Sequence, residues 1–259
     1  MLLQDKVAVV YGAGGAIGRA VARAFAADGA RVFLTGHTAA DVDEISNDIR
    51  PAAAEAMQVD ATDEAAIAEH LQHVVDVAGG VDISFNAIGI PDTEILGVPL
   101  VDLDAETFAR PITTYTSSYF LTARMAARHM AAKRSGVIMT VSALPARSGS
   151  TLNGGYGSAM AAKEALTRDL SAELAPAGIR VVGLRPHGMP ETRTMKEVHA
   201  TKTPGITFEQ FEGYLASTTH PHRVMTLDEV ANVAVFAASD RASGLTGTTL
   251  NLTMGSVDD

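Results

Sequence analysis

The residues whose types and spacing speak first for chemistry lie near the start: Gly12-Ala13-Gly14-Gly15-Ala16-Ile17-Gly18. Backbone amides at a helix N-terminus bind a diphosphate, and the helix dipole adds to that attraction. In such a loop Gly12 permits the tight turn out of a strand. Gly14 and Gly15 free the backbone to wrap phosphates, and Gly18 lets the helix pack close. The run lies between a predicted strand and a predicted helix, the context that dinucleotide binding requires. Histidines offer less. His70 and His73 share one face of a predicted helix without a third ligand, so a solvated face is expected there and no metal. His220 and His222 flank Pro221 and are expected at the surface.

The elements that must position this loop alternate. Lys6 to Tyr11 is a short, nearly all-apolar run, the pattern of a buried parallel strand. Arg19 to Asp28 reads as a helix with Gly29 as its stop. Strands are expected at Arg31 to Thr35, Met57 to Val59, Ile83 to Phe85, Val137 to Val141, Ile179 to Leu184 and Thr248 to Leu252. Helices are expected at Ala39 to Ile49, Thr62 to Val77, Thr107 to Ala132, Tyr156 to Ala175 and Leu227 to Ser239. Such alternation implies an α/β fold, a doubly wound parallel sheet of the Rossmann type with helices on both faces. No linker or composition break divides the chain, so residues 1–259 read as one domain. The least regular stretch, Pro186 to Arg223, carries Pro190, Pro204 and Pro221 and reads as a substrate lid at about 187–224.

Composition narrows the classes. The 259 residues are 47% hydrophobic and 19% charged, enough to bury a sizeable core. With no cysteine, a disulfide scaffold, a thiol nucleophile and a cysteine zinc site are excluded. The net charge of −10, without a Lys/Arg cluster, argues against nucleic acid and anionic membrane as partners. The start, Met1-Leu2-Leu3-Gln4-Asp5-Lys6, lacks a signal peptide's apolar run, so a cytoplasmic protein acting on small molecules is expected.

With these residues in view, the sequence resembles the short-chain dehydrogenase/reductase family over nearly its whole length. The family's Thr-Gly-x3-Gly-x-Gly appears as Tyr11-Gly12-Ala13-Gly14-Gly15-Ala16-Ile17-Gly18, with Ala16 where the middle glycine belongs. Val59-Asp60-Ala61-Thr62-Asp63 resembles the segment whose Asp contacts the adenine, which implies Asp60 and Ala61. Asp82-Ile83-Ser84-Phe85-Asn86-Ala87-Ile88-Gly89 resembles the Asn-Asn-Ala-Gly strand end, with Ala87 for the second Asn. Pro186-His187-Gly188-Met189-Pro190-Glu191-Thr192 resembles the Pro-Gly…Thr segment beside the nicotinamide, stretched by one residue, with His187 in the glycine's place.

The resemblance implies four catalytic groups: a Tyr that exchanges a proton with the substrate oxygen, a Lys that lowers its pKa and binds the ribose, a Ser and an Asn. Only the Tyr is clearly kept, as Tyr156. An ungapped alignment puts Met160 at the Lys position, Ala143 at the Ser position and Tyr115 at the Asn position. The candidate substitutes are Lys163, Ser142 and Tyr115. Lys163 lies seven residues after Tyr156, close to two turns and about 10.5 Å along the axis. Enoyl reductases of the wider family also use a Tyr and a Lys seven apart. Ser142 is the weaker substitute, because adjacent strand residues point to opposite faces. The alternative to a solvated Lys163 is thus a stand-in for the missing lysine. A tyrosine without a nearby cation keeps a pKa of about 10, which hampers oxidation more than reduction.

A carboxylate at the end of the second strand would bind the ribose of NAD, whereas a basic group suits the 2′-phosphate of NADP. Here Thr35-Gly36-His37-Thr38 carries no carboxylate, so Gly36 and His37 lean to NADP, with NAD as the alternative. The expected function is hydride transfer between a nicotinamide cofactor and a carbonyl or activated alkene. A cofactor-binding protein without turnover, or non-redox chemistry on the same fold, are the alternatives. The family resemblance also implies a homo-oligomer, a tetramer or a dimer, through the long helix and the Tyr156 helix.

Overall fold

A computed structural model of the protein describes residues 1–38, 40, 42–44, 47, 54–91 and 95–258. Seven strands form one sheet: β1 (Val7–Tyr11), β2 (Arg31–Gly36), β3 (Ala54–Gln58), β4 (Ile83–Asn86), β5 (Gly136–Val141), β6 (Ile179–Pro186) and β7 (Thr248–Leu252). Their order is β3-β2-β1-β4-β5-β6-β7, and every pairing is parallel. The chain therefore winds outward in two directions from β1 and β4. Their carboxyl ends mark the switch point where such sheets bind ligands.

The helices are α1 (Ala16–Ala27), α2 (Glu64–Ala78), α3 (Ala105–Lys133), α4 (Tyr156–Leu174), α5 (Arg193–Lys202), α6 (Phe208–Ser217) and α7 (Leu227–Ala238). Of these, α1, α2, α3, α4 and α7 pack against the sheet, and α5 and α6 pack on each other. The two-residue period of β1 decides what each face meets. Ala8 and Val10 pack with Val21 and Phe25 of α1 and Val230 and Ala234 of α7. Val7, Val9 and Tyr11 pack with Ile67 and Leu71 of α2 and Tyr119 and Met130 of α3. Both faces are apolar, so the strands carry few polar side chains.

The structure corrects several expectations. The third strand is Ala54–Gln58, earlier than Met57 to Val59. Of the expected helix at 39–49, residues 40, 42–44 and 47 are helical, and the rest lies outside the described residues. The stretch 187–224 is not irregular, because α5 and α6 occupy it. Pro190, Pro204 and Pro221 fall before, between and after these helices, where proline punctuates rather than breaks. His70 is buried instead of solvated. Its ring meets Tyr11 edge-on at 6.3 Å, and burial pushes its pKa down to about 4.

Candidate active site

The glycine loop leaves β1 at the switch point. Gly12 has φ +75°, a left-handed conformation that disfavours a side chain, and a Cβ there would meet the Ala87 carbonyl at 2.6 Å. A Cβ on Gly18 would overlap the Gly12 carbonyl. The loop from β1 and the end of β4 are thus pressed together, with backbone where side chains would stand. Gly15 is the N-cap of α1 and has no side-chain cap bond. The first-turn amides of Ala16, Ile17 and Gly18 can therefore meet an anion. Gly14 lies half-buried in the same loop.

The ends of the neighbouring strands complete the cleft. Asn86, the last residue of β4, donates from Nδ2 to Thr122 Oγ1 at 3.1 Å, while its Oδ1 is buried without a partner. A buried, unpaired carbonyl oxygen is what a hydrogen-bonding ligand satisfies. The Ala87 amide donates to the Tyr11 carbonyl at 2.9 Å, and Ile88 packs on the core. Asp60 accepts from the Thr62 amide at 2.8 Å and its hydroxyl at 2.7 Å. These bonds hold its carboxyl below the usual range, and His37 adds an attraction. His37 and Asp60 therefore stand near one another across the ends of β2 and β3, beside the buried Ala61. Gly36 is tight against Val42, His37 and Thr38 are exposed, and Thr35 is fully buried. Thr35 therefore cannot join His37 and Thr38 around a phosphate. On the far side, Pro186 ends β6 and Thr192 caps α5 through Met195.

The catalytic side is apolar. Tyr156 opens α4 and is half-buried. Its ring meets Tyr115 edge-on at 5.8 Å. Tyr115, Ala159 and Met160 form a small cluster with Ile90, Ala143 and Tyr156 packed against it. Alanine and methionine thus stand where the resemblance expects a hydroxyl and an ammonium. Tyr115 Oη accepts from the Ile90 amide at 3.3 Å.

Two substitutes behave differently from expectation. Lys163 is not solvated: it is 1% exposed. Its Nζ lies 5.5 Å from the Tyr115 ring centre and 5.9 Å from that of Tyr119. Burial pushes its pKa down to about 7. Lys163 thus touches the rings of Tyr115 and Tyr119, and Tyr115 in turn touches Tyr156. Ser142 is corrected outright. Its hydroxyl donates to Glu164 Oε1 at 2.7 Å, and Arg185 donates to the same carboxylate at 2.8 and 3.2 Å. Ser142 is committed to this buried pair and cannot hold a substrate oxygen beside Tyr156. Sequence reasoning missed Glu164 and Arg185. The signal was Arg185 directly after the apolar run Val181-Val182-Gly183-Leu184 of β6, where a buried guanidinium needs a carboxylate.

Comparison with known proteins decides the family. Residues 12–256 match the family described as enoyl-(acyl carrier protein) reductase. The chain is 31% identical to 3-oxoacyl-(acyl-carrier-protein) reductase FabG of Escherichia coli, covering 98% of each. The chain belongs to the short-chain dehydrogenase/reductase family. It is also 32% identical to cis-4-hydroxycyclohexanecarboxylate dehydrogenase of Sinomonas cyclohexanicum, over 95% of this chain and 94% of that one. The crystal structure of sorbitol-6-phosphate 2-dehydrogenase SrlD from Erwinia amylovora superposes with a TM-score of 0.89 at 27% identity, covering 97% of this chain and 100% of that one. As a member of this family the protein is an NAD(P)-dependent oxidoreductase.

Proposed function

We propose that this short-chain dehydrogenase/reductase works as a reductase on a small, largely apolar carbonyl compound or activated alkene, with Tyr156 as its proton donor. The observation that carries the reading is the apolar cluster around Tyr156, where Ala143 and Met160 leave the phenol as the donor. An unassisted tyrosine gives up a proton to a developing oxyanion more readily than it acts as a base at neutral pH. Tyr115 fixes the Tyr156 ring edge-on. Lys163 acts as a positioning residue through Tyr115, whose ring its ammonium faces. Ser142 has no part in this scheme.

The dinucleotide site consists of Gly12, Gly14, Gly15, Ala16, Ile17 and Gly18 for the diphosphate. Asp60 and Ala61 lie on the adenine side, Asn86, Ala87 and Ile88 line the floor, and Pro186 and Thr192 border the nicotinamide. The unpaired Asn86 Oδ1 and the side-chain-free Gly12–Gly18 cradle support this fit. When bound, the nicotinamide supplies the hydride. NADP is favoured over NAD, because Gly36 and His37 at the end of β2 bring no carboxylate. Residues 187–224, with α5 and α6, form the lid. The assembly is a homo-oligomer, a dimer or a tetramer, and the partner of the site is a small molecule. Among the described residues no helix is long and apolar enough to cross a membrane.

The test titrates NADPH and NADH by fluorescence and then follows oxidation of the bound cofactor with ketones, quinones and enoyl thioesters. Tighter binding of NADPH and its oxidation by an apolar member of the panel are expected. Binding without oxidation by any member would overturn the reading.

A further inference from the structure

The foot of the proposed lid meets the sheet at one buried histidine. His187 directly follows β6 and is 2% exposed. Its backbone amide donates to the Leu252 carbonyl at 3.1 Å, which ties it to the end of β7. Its side chain reaches the other way. Nε2 lies 3.0 Å from the hydroxyl of Thr218, the C-cap of α6. Nδ1 lies 3.2 Å from the Gly188 carbonyl oxygen.

Proton counting fixes the ring. Thr218 has one hydroxyl proton, and it goes to the Leu215 carbonyl at 2.7 Å. The contact with His187 therefore needs the proton on Nε2, with Thr218 Oγ1 accepting. A second proton on Nδ1 would be donated to the Gly188 carbonyl, so the Nε2 bond to Thr218 stands in either charge state of the ring. The same foot is held from the other side by the C-terminal turn. Ser256 Oγ donates to the Thr218 carbonyl at 2.7 Å, and the His220 amide donates to the Met254 carbonyl at 2.9 Å.

We propose that His187 is a positioning residue, a latch whose Nε2–H fastens the foot of α6 to the end of β6 and so limits lid opening. The proposal rests on reading residues 187–224 as a lid. It extends that reading by naming the joint on which the lid turns. The charged groups on the surrounding elements are engaged elsewhere. On β6, Arg185 pairs with Glu164. Ahead of α5, Glu191 accepts from the Leu227 amide at the start of α7, and Arg223 pairs with Glu229 of α7. The other histidines at the foot, His220 and His222, are exposed. Burial holds the His187 ring below its ordinary value, offset in part by the Gly188 carbonyl.

Amide hydrogen exchange across α6, read against the sheet strands, tests this without a substrate. His187→Ala should speed exchange in Phe208–Ser217 about tenfold, the loss of one such bond, with the strands unchanged. His187→Gln keeps one donor and should retain most of that protection. His220→Gln should leave α6 exchange as in the wild type, and the Nε2-bound proton should be visible in the nitrogen shifts of the ring. Unchanged α6 exchange in His187→Ala, or a loss in His187→Gln as large as in His187→Ala, would overturn the latch. NADPH titration of the same samples separates the two readings. Absent binding sinks the cofactor site while leaving the exchange pattern to stand, and intact binding with unaltered exchange sinks only the latch.

Discussion

At the scale of single residues, Lys163 and Tyr156 carry opposite kinds of information. Burial between two tyrosine faces lowers the Lys163 ammonium to about 7. An unfolded lysine holds its proton to about 10.4. Between these values the unfolded chain binds more protons than the folded one. The penalty is therefore complete below about pH 7 and fades as pH rises toward 10. Lys163→Met should stabilise the fold by on the order of 3 kcal/mol at neutral pH, with the gain shrinking at alkaline pH. Urea midpoints across that range check it. The same variant should lower kcat about tenfold with cofactor affinity unchanged, because the ammonium against the Tyr115 ring is gone. An unchanged kcat would reduce Lys163 to a costly core residue.

At the scale of elements, the site depends on how closely chain ends approach. Gly18→Ala places a methyl against the Gly12 carbonyl, so NADPH binding should weaken at least about tenfold while the circular dichroism of the sheet persists. The buried pair of Glu164 and Arg185 joins α4 to β6 next to the site. Arg185→Met strands the carboxylate and should cost about 3–5 kcal/mol in denaturant unfolding, part of which Arg185→Met with Glu164→Met should restore. The alternating strands, the glycine loop and α4 were legible in the sequence, because apolar runs and glycine spacing are local signals. The helices α5 and α6 were legible too, in principle. Thr207-Phe208-Glu209-Gln210 is a capping box, with both reciprocal bonds formed, but the three prolines drew the reading toward a loop. What no local signal carried was side-chain direction. Ser142 turned to Glu164, Lys163 turned to Tyr115 and Thr35 turned inward, each set by what α3, α4 and the sheet bring opposite.

At the scale of the whole molecule, one sheet with a single switch point puts the dinucleotide cleft and Tyr156 on the same edge. A ligand that binds only the folded chain adds stability by mass action. NADPH at about 100 times its Kd should add about 2.7 kcal/mol and raise Tm by roughly 5 °C or more. NADH at the same concentration should do less, and an equal rise would remove the preference assigned to His37. The central claim is that Tyr156 alone delivers the proton in a site where alanine and methionine have replaced its usual partners. The direct measurement is a single turnover of bound NADPH with the best substrate of the panel, wild type beside Tyr156→Phe. The account predicts oxidation in the wild type and at least a hundredfold loss, about 3 kcal/mol, in Tyr156→Phe with NADPH affinity intact. Equal rates in the two proteins would contradict it.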